Sequence, residues 1–490
     1  MSSMILILAL VAAGGGNDAL DFIPTDVYWR TKTVAVSVET MAAESGPVDG
    51  PAPDISRLIE NLASDSFHVR QATSERIAEM GTAVVPQLRE ATKSRDPEVV
   101  ARAERLLGGF SGQTASNSVR RLMAIRTLGE LKKPEAIELL RPLLRSKELF
   151  VAEYAERSIA MISGQAAKSR RPSDDQLMSD VWLLPSGCGL VGQVKQVGDL
   201  EIDIRKVIGH MAVGPMQGAA GQGNVDQLNA FLPLIIAQIE KIGNVRVDAV
   251  TLGVAQDIDG DAGFVVCVLR GQYDTAVVRA LFEGMGLNAL EDEPILRSDD
   301  EVAILMPSGD RLVFIAAPGQ GALPTARTVL GNIEGGKVPL KGNKEMVGMI
   351  EAMDRSGLLW ATTRVPRSFK REVPFAAPFE TAALTGSLKD GGVDLALTAS
   401  GADREQVKAS SEQIDQMVKT QLVQLKQFAA QMPPMAVMFR PMIDFMESIR
   451  PSADDGKLSI TASFNPDMNQ LMTMPMMMFG IQARPDFEME

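Results

Sequence analysis

The stretch from Asp65 to Leu107 constrains the fold more than any other part of this chain. It reads DSFHVRQATSERIAEMG, TAVVPQLREATKS and RDPEVVARAERLL, parted at Gly81 and at the Arg95-Asp96-Pro97 turn. Val69, Ala72, Ile77 and Met80, then Val84, Val85 and Leu88, then Val99, Ala103 and Leu107 recur at helical spacing, with Arg, Lys and Glu between them. None of these short segments buries its apolar stripe alone, so the pattern predicts a stack of short paired helices. Asp54 can cap the first of them, and Asp96-Pro97 sets a capping acid before a proline suited to a first helical turn.

A second pass of the pattern begins at Ser118 and runs to Gly164. Val151, Ala155 and Ile159 echo Val99, Ala103 and Leu107, and Pro142-Leu-Leu144 echoes Pro86-Gln-Leu88. Between the passes, residues 109 to 117, GFSGQTASN, read as a loop insertion that stretches the period to near fifty. On these residues the chain resembles the HEAT-like repeat family over about residues 54–164, with a Val-Arg-rich helix, a turn and a Pro-x-Leu helix in each unit. The resemblance implies an all-α solenoid that holds a protein partner, and is silent on catalysis. Arg70, Arg102, Arg105, Arg120 and Arg121 are the candidate interaction surface if they line one face. A solvated face paired with Glu75, Glu79 and Glu104 accommodates the same residues. His68 in this helix position is expected to face solvent.

At 490 residues the chain exceeds one ordinary core, so it is expected to be multidomain. Net charge is −13; residues 54–164 carry 17 Lys and Arg against 15 Asp and Glu, leaving about −15 on the rest. That balance argues against nucleic acid as a partner, since phosphate binding needs a basic surface. Two cysteines, Cys188 and Cys267, make no disulfide scaffold and no four-ligand zinc site, although one bridge between them is open. With only His68 and His210, histidine-based catalysis has little material.

Residues 1–13 hold a ten-residue apolar run, Met4 to Ala13, ending in small residues, with Val11 and Ala13 placed as before a signal-peptidase cut. The run is far short of the roughly twenty residues that span a bilayer. It reads as a signal peptide, without the usual preceding Lys or Arg, and implies a periplasmic or secreted protein with no membrane span. A buried strand or a misplaced start is the alternative. In residues 14–53, Thr33 to Val38 alternates like a strand, and AAESGPVDGPAP after it reads as a linker.

Beyond a charged linker at 165–176, strands and helices alternate in what reads as an internal duplication, 177–345 and 346–490. Leu252 to Asp257 turning into Phe264 to Leu269 corresponds to Leu384 to Leu388 turning into Val393 to Thr398. Upstream, Gly189 to Val194 corresponds to Leu358 to Thr363; downstream, Pro307-Ser308 and Arg311 to Ile315 correspond to Pro451-Ser452 and Lys457 to Ile460. The expectation is a duplicated α+β domain with an antiparallel sheet and helices. It loosely resembles the duplicated α+β regions of uncharacterised bacterial exported proteins.

The motifs that invite a chemical reading fall short of one. Asp257, Asp259 and Asp261 open an EF-hand-like loop, yet Ala262 and Val268 stand where glycine and a bidentate glutamate belong. The glycine-rich runs 218–223 and 318–321 lack phosphate-loop spacing. Met432, Met435, Met438, Met442 and Met446, with Met472, Met474 and Met476 to Met478 in the tail, offer soft thioether ligands for Cu(I), or an adaptable apolar surface. The reading is therefore a non-enzymatic protein-binding or scaffold module, with no catalytic, cofactor or metal residues assigned. The alternatives are methionine-mediated copper binding or a hydrolase using Asp257, Asp259, Asp261, Glu291, Asp292 and Glu293.

Overall fold

The computed structural model describes residues 18–46, 55–64, 66–80, 84–94, 96–146, 148–165, 172–195, 236–237, 239–241, 243–255, 263–284, 286–290, 293–298, 301–317, 321–389, 392–431 and 433–464. Helices make up the N-terminal part: α1 (Thr25–Thr31), α2 (Val38–Ser45), α3 (Ser56–Asn61), α4 (Phe67–Glu79), α5 (Val85–Ala91), α6 (Pro97–Glu130), α7 (Ala136–Leu140) and α8 (Val151–Ile162). Asp96 caps α6 as expected, its Oδ1 accepting from the N–H of Glu98 at 2.9 Å, with Pro97 in the first turn. Asp54, the expected cap of α3, lies outside the described residues, and Ile55 takes that position with no side-chain bond.

Two segments fold otherwise than their local pattern suggests. Residues 109–117 are no loop; they lie inside α6, one helix of 34 residues. The buried stripe Val99, Ala103, Leu107 and Phe110 continues as Ala115, Val119 and Leu122, so the helix packs on both sides of the glycines. Each glycine costs about 1 kcal/mol in a helix, which that burial exceeds. Residues 33–37 form no strand. Thr33 sits at φ +54° after α1, and Ser37 caps α2 by accepting from the N–H of Thr40 at 3.1 Å. A short alternating run without a strand partner gains nothing from the extended form, whereas here a helix start is capped.

Residues 18–46 belong to the core rather than to an appendage. Leu20, Ile23, Tyr28, Trp29 and Met41 pack with Leu122, Ile125 and Leu128 of α6, Tyr154 and Ala155 of α8, and Val247 of the sheet. A separate core joins Ile77, Leu88, Val99 and Ala103, so α6 serves both cores.

Helix α9 (Asp174–Trp182) begins inside the segment expected as linker, because Ser173 and Gln176 form a capping box. A twelve-stranded sheet follows, built of β1 (Cys188–Lys195), β2 (Arg246–Ala255), β3 (Val265–Gln272), β4 (Asn288–Ala289), β5 (Ile295–Ser298), β6 (Val302–Ser308), β7 (Arg311–Ala316), β8 (Leu359–Arg364), β9 (Phe379–Lys389), β10 (Gly392–Gly401), β11 (Arg450–Asp454) and β12 (Lys457–Phe464). Every pairing is antiparallel, in the order β11-β12-β10-β9-β8-β1-β2-β3-β7-β6-β5-β4. Outward from the β1–β8 seam, where Gly192 faces Ala361, the series β1, β2, β3, β7, β6 and β8, β9, β10, β12, β11 run in matching sequence.

Between β2 and β6 both faces of the sheet are covered. Val266, Val268, Val313 and Ile315 pack under α9, α11 (Ala322–Glu334) and α12 (Lys344–Glu351). Leu269, Leu312 and Phe314 pack under α10 (Thr275–Gly284). The buried carboxylate of Asp180 on α9 receives Arg270 at 2.5 and 2.7 Å and Arg311 at 2.8 Å, pinning that helix to β3 and β7. Strands β9 to β12 are covered less. Ala382, Ala399, Leu458 and Ile460 meet Val407, Ile414 and Val418 of α14 (Arg404–Gln431), whereas Thr398, Thr461 and Ser463 on the opposite face are exposed. Short α13 (Arg367–Glu372) precedes β9, and α15 (Pro433–Ser448) folds back along α14.

Candidate interaction surfaces

The five arginines fall into two groups on or beside α6. Arg70 of α4 and Arg102 converge on Glu98, at 3.5 and 2.7 Å, and Arg70 also donates to the Ser64 carbonyl at 2.6 Å. Arg105, one turn on, is exposed. Arg120 and Arg121 lie about 27 Å further along, at 1.5 Å per residue. Arg120 holds Glu44 through two bonds of 2.6 Å each, which keeps that carboxyl below its usual range. Arg121 is buried, donates to the Ser45 carbonyl at 3.0 Å and pairs with Glu148. This second pair fastens α2 to the array. His68 is exposed, edge-on to Phe67 at 6.0 Å.

Of the six acidic residues in the hydrolase alternative, only Glu293 is among the described residues, and it pairs with Arg327 at 3.0 Å. His210, the run 218–223 and the methionines from 472 onward also lie outside them. Cys188 on β1 and Cys267 on β3 are both free. With β2 between them, Cys188 opposite Ala255 and Cys267 opposite Leu252, they are two strand spacings and three residues apart, roughly 14 Å, too far for a disulfide. Among the described residues no group of His, Cys, Asp or Glu is placed to hold a metal ion, and no helix is long and apolar enough to cross a membrane. An apolar cavity of about 30 Å³ between α10 and the sheet is lined by Val245, Leu269, Tyr273 and Phe282, among others, and has room for a water or two.

A buried ionic cluster that no sequence motif marks lies where the N-terminal segment, α8 and β2 meet. Asp18, only 1% exposed, and Asp21 receive Arg157 of α8 at 3.0 and 2.8 Å. Arg246 of β2 reaches Glu153 at 2.6 Å and Asp248 at 3.1 Å, with Asp18 4.0 Å away. Four carboxylates thus share two guanidiniums. Burial first, then the negative charge of Asp21, pushes the Asp18 carboxyl up to about 7 against the pull of Arg157 and Arg246. Burial likewise raises Asp248. Around the cluster, the Leu20 N–H donates to Asn244 at 3.2 Å and the Trp29 indole N–H to Thr127 at 2.8 Å. Tyr28 donates to Glu240 at 2.9 Å, and Lys32 pairs with the same carboxylate at 2.7 Å. Apart from Arg246 and Asp248, two residues apart on β2, the partners are 90 to 230 residues apart, so no local spacing announces them. The available signal is charge inside apolar runs: Glu153 and Arg157 in VAEYAERSIAMI, Arg246 and Asp248 in RVDAVTLGVA.

Apolar side chains do reach the surface. On the array, Phe67, Val69, Leu139, Leu144 and Met161 are exposed. On the α14–α15 hairpin, Met417, Val423, Phe428 and Met442 are exposed.

Residues 121–146, which comprise the end of α6, α7 and the 3-10 turn Arg141–Arg145, match the family model described as PBS lyase HEAT-like repeat. A HEAT-like repeat segment is therefore present at residues 121–146, within the expected span 54–164. No curated protein matches the chain. Among solved structures, crystal forms III, I and IV of TP0453 cover 60% of this chain and 96%, 94% and 96% of theirs, at 10%, 9% and 9% identity. Their TM-scores are 0.32, 0.31 and 0.30, a likeness that carries no argument about this chain.

Proposed function

We propose that this protein is a non-enzymatic protein-binding or scaffold module that acts in the periplasm or outside the cell. In this reading the helical array is a short HEAT-like solenoid, set on an α+β domain that arose by internal duplication. The matching strand order on either side of the β1–β8 seam supports the duplication. One observation carries the binding role. Leu144 holds the place in the second unit that Leu88 holds in the first; Leu88 is fully buried, whereas Leu144 is 42% exposed, as is Leu139. A stacking position left open at the end of an array is an apolar site that a partner can cover. Arg70, Arg102 and Arg105 give an ionic border at the other end of the array.

The test is photo-crosslinking in the native host, with benzoylphenylalanine in place of Leu144 in the full chain and, as control, in place of exposed Lys93. A discrete protein adduct from position 144 alone is expected, and it should disappear when Leu139→Asp is added. Equal labelling from both positions, or none from 144, would refute the proposal.

A further inference from the structure

We infer that the tip of the α14–α15 hairpin is an interfacial anchor for an anionic lipid surface. Among the described residues the hairpin is rooted at one end only. Val407, Ile414 and Val418 of α14 pack on the sheet, and at the far end of α15 the N–H of Ser463 donates to the Ser448 hydroxyl at 2.9 Å. From Val418 to Gln431 the helix continues for about 20 Å more, with Ala429 its sole buried residue there. The two helices hold each other at that end through Phe428 and Phe439, edge to face at 5.3 Å.

The chemistry of the tip differs from that of the rest of the chain. From Gln416 to Ile443, 28 residues, there is no Asp or Glu, although 62 occur among the 490 and three or four would be expected. Lys419, Lys426 and Arg440 supply its charge. Each pairs with a carboxylate that lies toward the root, Lys419 with Asp415 and Lys426 with Glu447 at 2.5 Å and Arg440 with Asp444 at 3.9 Å. Positive charge with apolar residues, on a protein of net charge −13, complements a surface of anionic headgroups.

The distribution of the exposed apolar residues favours lipid over a protein groove. At 100° per residue, Met417 and Phe428 flank the Ile414–Val418–Ala429 stripe, while Val423 lies about 150° round from it. Met417, Val423, Phe428 and Met442 are 43%, 54%, 46% and 46% exposed. A groove covers one stripe of a helix; a medium that surrounds a projecting rod accepts apolar side chains on opposite sides. The tip dips into the headgroup region, and neither helix spans the bilayer.

Co-sedimentation of the full chain with vesicles tests this, using phosphatidylcholine alone and phosphatidylcholine with phosphatidylglycerol at 7:3. The protein should partition onto the anionic vesicles, and high salt should release it. The variant M417D/V423D/M442D, altered only at exposed positions and leaving the Phe428–Phe439 contact in place, should keep its circular dichroism spectrum and melting curve and bind at least tenfold more weakly. K426Q and R440Q should each weaken anionic binding about fivefold. The assignment is overturned if the wild type stays in the supernatant with both vesicles, or if the triple variant sediments as the wild type does. It is also overturned if vesicles are ignored while benzoylphenylalanine at Phe428 labels a protein. None of these results bears on crosslinking from Leu144, so this anchor and the scaffold role stand or fall separately.

Discussion

Replacing Asp18 with asparagine tests the physics of the buried junction. The Asp18 carboxyl is 1% exposed, and its pKa is about 7 against a starting value of 3.8. At 1.36 kcal/mol per pKa unit, that difference corresponds to about 4 kcal/mol. The sign follows from proton uptake. Between pH 4 and pH 7 the folded chain keeps a proton that the unfolded chain has released, so stability falls as pH rises through that window, and the full penalty stands above pH 7. Every charge facing Asp18 is included in the balance: Asp21 on its own turn, Glu153 and Arg157 on α8, and Arg246 on β2. Asparagine mimics the protonated carboxyl, carries no charge and serves equally at a helix start. D18N should match the wild type at pH 4 to within about 1 kcal/mol and exceed it by up to about 4 kcal/mol at pH 8. Urea unfolding at pH 4, 6 and 8, followed by tryptophan fluorescence, reads the junction through buried Trp29. A gap that stays constant with pH, or D18N being the weaker protein at pH 8, would refute the reasoning.

Two further outcomes follow from packing. A Cβ at Gly271 would stand 1.9 Å from the Arg246 carbonyl oxygen, so G271A must part β2 from β3 beside the same junction. A loss of about 2 kcal/mol or more is expected, against less than about 1 kcal/mol either way for G284A, whose Cβ meets nothing within 4 Å; parallel urea titrations compare them. Both cysteines should titrate as free thiols in denaturant without reductant. In the folded protein, burial pushes Cys188 up to about 12 and Cys267 up to about 11, so alkylation at pH 8 should be slow, and fast native labelling would contradict that burial.

Elements whose partners lie close along the chain are legible from local pattern. The Asp96-Pro97 start of α6, the stripe Val99, Ala103 and Leu107, and the two hairpins β2–β3 and β9–β10 all rest on spacing and turn chemistry within about thirty residues. Local pattern misleads where local and global preferences diverge. Gly108, Gly109 and Gly112 signal a loop, but packing on either side carries the helix through them. Thr33 to Val38 alternates as a strand would, but among the described residues no strand is there to receive it. For the arginines, residue type is readable and role is not: Arg105 and Arg121 look alike in sequence, yet one is exposed and the other is inside against Ser45.

Amino-acid order is enough to specify the helical array, the alternating strands, the turns between them and the carboxylate-free run from Gln416 to Ile443, because periodicity and composition are properties of neighbouring residues. Which charges meet is settled only in three dimensions. Asp18 finds Arg157 and lies 4.0 Å from Arg246, 139 and 228 positions away, and Asp180 finds Arg270 and Arg311. The same holds for the place of residues 18–46 in the core and for the α14–α15 tip standing clear of the sheet. Burial and charge pairing depend on distance in space, and a chain that returns on itself after two hundred residues records no such distance in its local pattern.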